Sequence, residues 1–254
     1  MEIVQLKKLR IAYERRGKGK PLVLVHGYPL DHSIWKSIMP LLENDFDLIM
    51  PDLRGFGQSG VVDGPNLMSD FAEDIATLLD YLKIDKTYIA GHSMGGYVSL
   101  AFVRKFSNRV AGLGLLASQV LPDTPEKKAT RSLEADHILI HGVREVAESM
   151  SKKLTADVGL QATLKNLILR QKPEGLAGAL KAIAERPDSS DLLGIMDFPV
   201  TIIHGLDDKI IPVDRAREVQ NKVKRGTLWE VEETGHMPMM EAPKITADAL
   251  KSFL

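Results

Sequence analysis

Three residue types that act together in acyl transfer occur far apart in this chain: a serine, an acid and a histidine. Ser93 has a glycine two residues away on either side, the adjacent pair Asp207 and Asp208 follows, and His236 comes last. A serine hydroxyl becomes a good nucleophile when an imidazole takes its proton, and a carboxylate must orient that imidazole. This set of residues therefore predicts covalent catalysis through a serine.

The sequence around Ser93 predicts a sharp turn between a strand and a helix. Residues 87–90 are apolar or favour strands, and apolar side chains recur at helical spacing over residues 97–106. A G-x-S-x-G segment at such a junction is a nucleophile elbow, and glycine is needed because a side chain two residues away would clash with the turn. The turn exposes the hydroxyl of Ser93 and directs the N–H of Met94 towards a developing negative charge.

A second donor for that charge is expected from the loop after the apolar run 22–25. In this loop the backbone N–H of Tyr28 follows His26 by two residues, and we predict that Tyr28 and Met94 form an oxyanion hole. His26 is expected to hold the loop by hydrogen bonds. The same residue is a candidate substrate contact, together with Tyr28 and Met237.

The elements that must position these residues follow from the periodicity of the chain. Continuous apolar or β-favouring runs alternate with amphipathic helical segments, which is typical of a parallel sheet with helical crossovers. Ser93, the Asp207–Asp208 pair and His236 each follow a predicted strand. We therefore expect the three to meet at one edge of the sheet, where such sheets place ligands. The predicted strands are residues 22–25, 46–50, 87–90, 110–116, 199–203 and 227–231.

The strand pattern stops between residues 123 and 192. Four helices are predicted there, over residues 126–141, 143–153, 160–170 and 174–185. We interpret residues 123–192 as a helical cap inserted in a core that residues 1–122 and 193–254 form. The alternative is a longer crossover that packs on the sheet. Apolar cap side chains, Met150 among them, predict an apolar pocket.

Composition excludes several classes of function. The 254 residues carry a formal net charge of −1, which gives no long-range attraction to nucleic acid or to an anionic membrane. The absence of cysteine excludes disulfides and thiol catalysis. No secretion signal or membrane span is recognisable, so we expect a cytoplasmic protein. His137 and His141 have a metal-ligand spacing without a third ligand, so we expect no metal and no cofactor.

These motifs resemble those of the α/β-hydrolase superfamily over nearly the whole chain. The resemblance is closest to its small-cap carboxylesterases, enol-lactonases and cofactor-free haloperoxidases, and it implies a mostly parallel central sheet flanked by helices, with a helical cap. In the family pattern G-x-x-D-x-x-x-P the acid lies four residues before the proline, which implies Asp208, with Asp207 as the alternative. The matching segments are residues 26–27, 52–59, 91–95, 205–212 and 235–236.

The expected function is hydrolysis of short- to medium-chain carboxylic esters through an acyl-enzyme on Ser93, with a small-molecule ester as the partner. The same triad could instead catalyse perhydrolysis with halide oxidation, lactone opening or C–C bond hydrolysis. A different class, a ligand receptor on a hydrolase scaffold, also stays open. The oligomeric state does not follow from the sequence.

Overall fold

Eight strands form one sheet in the computed structural model, which describes residues 1–6, 9–62 and 66–253. The order across the sheet is β1-β2-β4-β3-β5-β6-β7-β8. Strand β2 pairs antiparallel with both β1 and β4. All other neighbours in this order, from the β4–β3 pair to the β7–β8 pair, are parallel. The strands are β1 (Glu2–Leu6), β2 (Leu9–Gly17), β3 (Lys20–Val25), β4 (Phe46–Pro51), β5 (Thr87–His92), β6 (Val110–Leu116), β7 (Val200–Gly205) and β8 (Gly226–Val231).

Helices connect the parallel strands and cover the sheet. The predicted fold class, a mostly parallel sheet flanked by helices, is confirmed. The helices are α1 (Met39–Leu42), α2 (Met68–Tyr81), α3 (Met94–Phe106), α4 (Pro125–His141), α5 (Arg144–Leu154), α6 (Val158–Ile168), α7 (Pro173–Ala184), α8 (Ser190–Leu193), α9 (Asp214–Gln220), α10 (Pro238–Glu241) and α11 (Pro243–Lys251).

Strand β3 shows why the parallel strands are apolar without alternation. Leu22 and Leu24 pack into one hydrophobic cluster, and Val23 and Val25 pack into another. Successive side chains of a strand point to opposite faces, so the two clusters lie on the two faces of the sheet. A strand that is covered on both faces must bury every side chain.

One predicted helix has a different form. The sequence predicts a helix through residues 34–42, but the chain makes a 3₁₀ turn over His32–Trp35 and then the single turn of α1. Pro40 lies in the first turn of α1. Proline has no backbone N–H and its ring clashes with the preceding turn, so a continuous helix through this position is disfavoured.

The four helices predicted between residues 123 and 192 are present as α4 to α7. Helix α4 packs on α7, and α5 packs on α6. Helix α7 also touches the loop that follows β4: a Cβ atom on Gly175 would lie 1.9 Å from the carbonyl oxygen of Gly55. Only a residue without a side chain allows the two backbones to approach so closely.

Among the described residues, no helix combines the length and the apolar character that a membrane crossing requires.

Candidate active site

Ser93 lies at the predicted sharp turn between β5 and α3. Its backbone has φ 52° and ψ −114°, a region that non-glycine residues rarely adopt. A Cβ atom on Gly91 would lie 2.1 Å from the carbonyl oxygen of Gly95, and one on Gly95 would lie 2.1 Å from that of Val25. The N–H of Ser93 donates to the carbonyl of Leu116 at 2.9 Å, which fixes the strained turn to β6.

His236 and Asp208 form a direct pair after β8 and β7. Nδ1 of His236 lies 2.6 Å from Oδ2 of Asp208. The other carboxylate oxygen accepts the backbone N–H groups of Ile210 and Ile211 at 2.8 and 3.0 Å. The side chain of Asp208 is fully buried, whereas Asp207 is exposed. The geometry therefore pairs the histidine with the acid that the family pattern implies.

A second histidine, His204 at the end of β7, supports the same carboxylate. Its Nε2–H donates to the carbonyl of Ile211 at 2.8 Å and lies 3.4 Å from Oδ2 of Asp208. Burial alone would raise the pKa of Asp208, but the hydrogen bonds from His204 and His236 hold that pKa well below its ordinary value. The sequence predicts only a buried or hydrogen-bonded side chain at His204. Its contact with Asp208 depends on how the following loop folds back.

Ser93 and His236 line one small cavity of about 90 Å³ at the carboxyl edge of the sheet. Tyr28 and Met94 line the same cavity. In the described part of the chain, neither of their backbone N–H groups donates to a protein acceptor. Two unpaired donors beside a serine are what an oxyanion hole needs.

Two predicted substrate contacts lie elsewhere. His26 is fully buried, its Nδ1–H donates to the carbonyl of Gly27, and its Nε2 accepts the N–H of Leu53. Both ring nitrogens are thus used to hold the loop. Met237 is also fully buried and packs in a hydrophobic cluster. Neither residue is among those lining the cavity, so the structure gives no support to the predicted substrate contacts of His26 and Met237.

The cavity wall is more polar than predicted. Among the described residues, the apolar side chains that helices α4 to α7 contribute to it are Met150, which the sequence predicted, and Ile183, which it did not. The wall also contains Gln119, Asp123, Lys127 and Arg131, none of which the sequence identified. Lys127 and Arg131 are four residues apart on α4, but helical spacing alone does not show which turn of a helix faces a distant serine.

His92 lies directly beneath the candidate site. Its Nε2–H donates to the carbonyl of His236 at 2.8 Å, and the two rings are 4.9 Å apart. Among the described residues its Nδ1 has no partner. Burial lowers the pKa of His92 to about 3, so this side chain is neutral at ordinary pH.

His92 should therefore make the protein less stable in mild acid. In the unfolded chain His92 binds a proton below its ordinary pKa of 6.5, whereas in the folded protein it stays neutral down to about pH 3. Stability is lost as the pH falls, by about 1.4 kcal/mol per pH unit for each such group. We expect His92→Gln, which keeps an N–H donor, to flatten the pH dependence of the unfolding free energy by that amount between about pH 6 and pH 4.

Urea unfolding at several pH values measures this slope, and the same variant at pH 8 provides the reference because histidine is neutral there in both states. An unchanged slope would contradict the assignment of a buried neutral His92.

A cluster away from the site contains metal-ligand residue types. Asp31, His32 and Asp52 bring one ligand atom each within 4.8 Å of one another. Protein groups already use these atoms: Nδ1 of His32 lies 2.6 Å from Asp52, which also accepts the N–H of Gln58. Burial opposes protonation of His32, but its bond to Asp52 raises its pKa. The cluster is therefore a hydrogen-bond network that joins the loops after β3 and β4.

A parallel sheet that carries a serine on a strained strand–helix turn, with a buried Asp–His pair at the same edge, defines the α/β-hydrolase class. The family model for the alpha/beta hydrolase fold matches residues 20–243, and the chain belongs to that family. The resemblance drawn from the motifs is thereby confirmed.

Individual relatives include several hydrolases. The structure of a thermophilic esterase from Thermogutta terrifontis with malate bound is 34% identical, has a TM-score of 0.96, and aligns over 100% of this chain and 98% of its own. A pimeloyl-[acyl-carrier protein] methyl ester esterase from Legionella pneumophila is 25% identical over 97% of this chain and 100% of its own length.

One relative is a longer protein of a different kind. The dihydrolipoyllysine-residue acetyltransferase component of an acetoin cleaving system from Pseudomonas putida is 31% identical over 93% of this chain. The match covers 64% of that relative's length.

Proposed function

We propose that this protein is a serine carboxylic ester hydrolase that acts on short- to medium-chain esters through an acyl-enzyme on Ser93. The observation that carries the proposal is the buried pair of Asp208 and His236, whose histidine lines the same cavity as Ser93. The backbone N–H groups of Tyr28 and Met94, which have no acceptor in the described residues, support it.

The first half of the reaction forms the acyl-enzyme. His236 takes the proton of the Ser93 hydroxyl as its oxygen attacks the ester carbonyl carbon, while Asp208 stabilises the imidazolium. The carbonyl oxygen becomes an oxyanion that accepts the N–H groups of Tyr28 and Met94. The bond to the alcohol oxygen then breaks, and His236 returns its proton to the departing alcohol.

Water completes the cycle. His236 removes a proton from a water molecule whose oxygen attacks the acyl carbon, the same two N–H groups hold the second oxyanion, and the bond to Ser93 breaks as the serine regains its proton from His236. The products are the carboxylic acid and free enzyme. No step needs a metal ion or a cofactor.

Helices α4 to α7 are proposed to act as a cap on this site. These helices contribute Lys127, Arg131, Met150 and Ile183 to the cavity that Ser93 lines. The cavity volume of about 90 Å³ favours small acyl groups. The relationship to the Thermogutta terrifontis esterase supports ester hydrolysis in preference to the other reactions of this fold.

A panel of substrates with purified protein and its Ser93→Ala variant tests the proposal. We expect multiple turnovers on ethyl and p-nitrophenyl esters of acetic to hexanoic acid, with rates that fall for longer chains. A higher kcat/KM on lactones, on a β-diketone, or on monochlorodimedone bromination with peroxide would replace ester hydrolysis by that reaction. Stoichiometric release of one product equivalent, without turnover, would favour a ligand receptor.

A further inference from the structure

The cavity that Ser93 and His236 line carries an excess of positive charge on its wall. Lys127 and Arg131 lie one helical turn apart on α4, and both side chains line the cavity. Asp123 is the only acidic side chain among the described residues that line it. Esters without charge do not need this arrangement.

The charge of Asp123 is already neutralised. Arg131 donates to one of its carboxylate oxygens, Oδ2, and Arg186 donates from Nη2 to the other, Oδ1, at 2.9 Å. The side chains of Asp123 and Arg186 are 2% and 3% exposed, so water screens this bond weakly. Arg186 is further fixed by the carbonyl groups of Leu121 and Ile183. One buried carboxylate therefore faces two guanidinium groups.

Lys127 adds a further positive charge that nothing on the protein neutralises. Among the described residues its ammonium group has no hydrogen-bond or ion-pair partner. The residue is exposed and lines the cavity. Three acids lie on α4. Glu126 is oriented towards Thr124 at the start of the helix, Glu134 lines a neighbouring surface cavity with Tyr28, and Asp136 pairs with Lys181. None of these three carboxylates lines the cavity of Ser93.

Gln119 completes the polar side of the wall. It follows β6, lines the same cavity, and its side-chain amide has no hydrogen-bond partner in the part of the chain that the structure describes. An amide N–H and an ammonium group are both donors to a carboxylate. A ligand bound in this cavity with its reactive carbonyl at Ser93 would thus also meet donors for a carboxylate.

We propose that the substrates of this enzyme are esters that carry a carboxylate of their own, such as monoesters of small dicarboxylic acids, and that Lys127 binds this carboxylate. Arg131 supplies part of the positive field while it holds Asp123. The inference rests on the proposed ester hydrolysis and specifies its substrate class.

A matched pair of substrates isolates the carboxylate. Monoethyl succinate and ethyl levulinate have the same ethyl ester and the same spacing, but the first ends in a carboxylate and the second in a methyl ketone. Hydrolysis of both is followed by proton release at constant pH. The wild-type protein should have the higher kcat/KM for monoethyl succinate, and added salt should reduce that advantage because it screens an exposed charge.

Lys127→Gln should lower kcat/KM for monoethyl succinate by about three- to fivefold more than kcat/KM for ethyl levulinate, which is the size of a partly exposed ion pair. Lys127→Arg should retain the preference. Lys86→Gln is the matched control, because it removes the same charge from an exposed position just before β5, at the opposite edge of the sheet. Equal effects of Lys127→Gln on both esters, or equal effects of the two glutamine variants, would overturn the proposal.

The outcome also separates this proposal from the proposed function. If ethyl levulinate is hydrolysed as well as monoethyl succinate, ester hydrolysis stands and the carboxylate preference is wrong. If neither ester is hydrolysed, the proposed function fails, and calorimetry with succinate decides the binding site. Succinate binding that weakens in Lys127→Gln would support the anion site, and no binding would overturn it.

Discussion

Ester hydrolysis by the Ser93→Ala variant is expected to be slower than that of the wild-type protein by a factor of about 10⁴ to 10⁶ in kcat. Alanine removes the only atom that can form the acyl-enzyme, and the remaining groups act as a unit that does little without a nucleophile. Steady-state rates on an ethyl ester, with enzyme at high concentration for the variant, measure the loss.

Folding should not change in this variant. Alanine and serine have the same Cβ atom, so the strain of φ 52° is the same for both. Ser99→Ala is the matched control: this buried serine lies in α3, where its hydroxyl donates to the carbonyl of Gly95 at 2.8 Å. We expect Ser99→Ala to keep wild-type kcat. Activity of Ser93→Ala within tenfold of the wild type would refute a serine acyl-enzyme.

The Asp208→Asn variant should have a kcat about 10⁴-fold below that of the wild type. The carboxylate accepts the Nδ1–H of His236 at 2.6 Å, which keeps Nε2 free to take a proton. An asparagine can present its N–H to Nδ1 instead, and the imidazole then adopts the wrong tautomer. The depressed pKa of Asp208 means that the wild-type carboxylate stays ionised throughout the range in which esterases are assayed.

The neighbouring Asp207→Asn variant is a sharp control, because both changes remove one carboxylate from the same turn. Asp207 is exposed, and its backbone N–H donates to the carbonyl of Thr234 whatever its side chain is. Its kcat should stay within about twofold of the wild type, as for most surface substitutions. If Asp207→Asn proved the more damaging change, the assignment of the acid would have to be reversed.

The contrast between these aspartates shows what the residues alone could give. Sequence periodicity cannot distinguish two adjacent positions on a turn, so the residue types alone left both Asp207 and Asp208 as candidates for the acid. The family pattern implied Asp208. The structure distinguishes them by burial and by contact with His236. His204 is a contact that the sequence could not predict, because His204 meets Asp208 only when the loop after β7 folds back on itself.

The parallel direction of the main strands followed from sequence because its signals are local. A run such as residues 22–25 must be covered on both faces, and alternation with helices then requires parallel pairing. The segment from residue 34 to 42 shows how a local signal fails. Its apolar spacing suits a helix, but Pro40 limits it to short turns.

By itself the sequence determined the turn at Ser93, because the glycines on either side meet steric demands within a few residues, and it determined that an acid and His236 would follow at the same sheet edge. Only the tertiary structure decided what surrounds them. In the folded chain both ring nitrogens of His26 hold a loop, and Lys127 and Arg131 line the cavity of Ser93. Those outcomes depend on how α4 is rotated and packed against the rest of the chain, and no local pattern encodes that orientation.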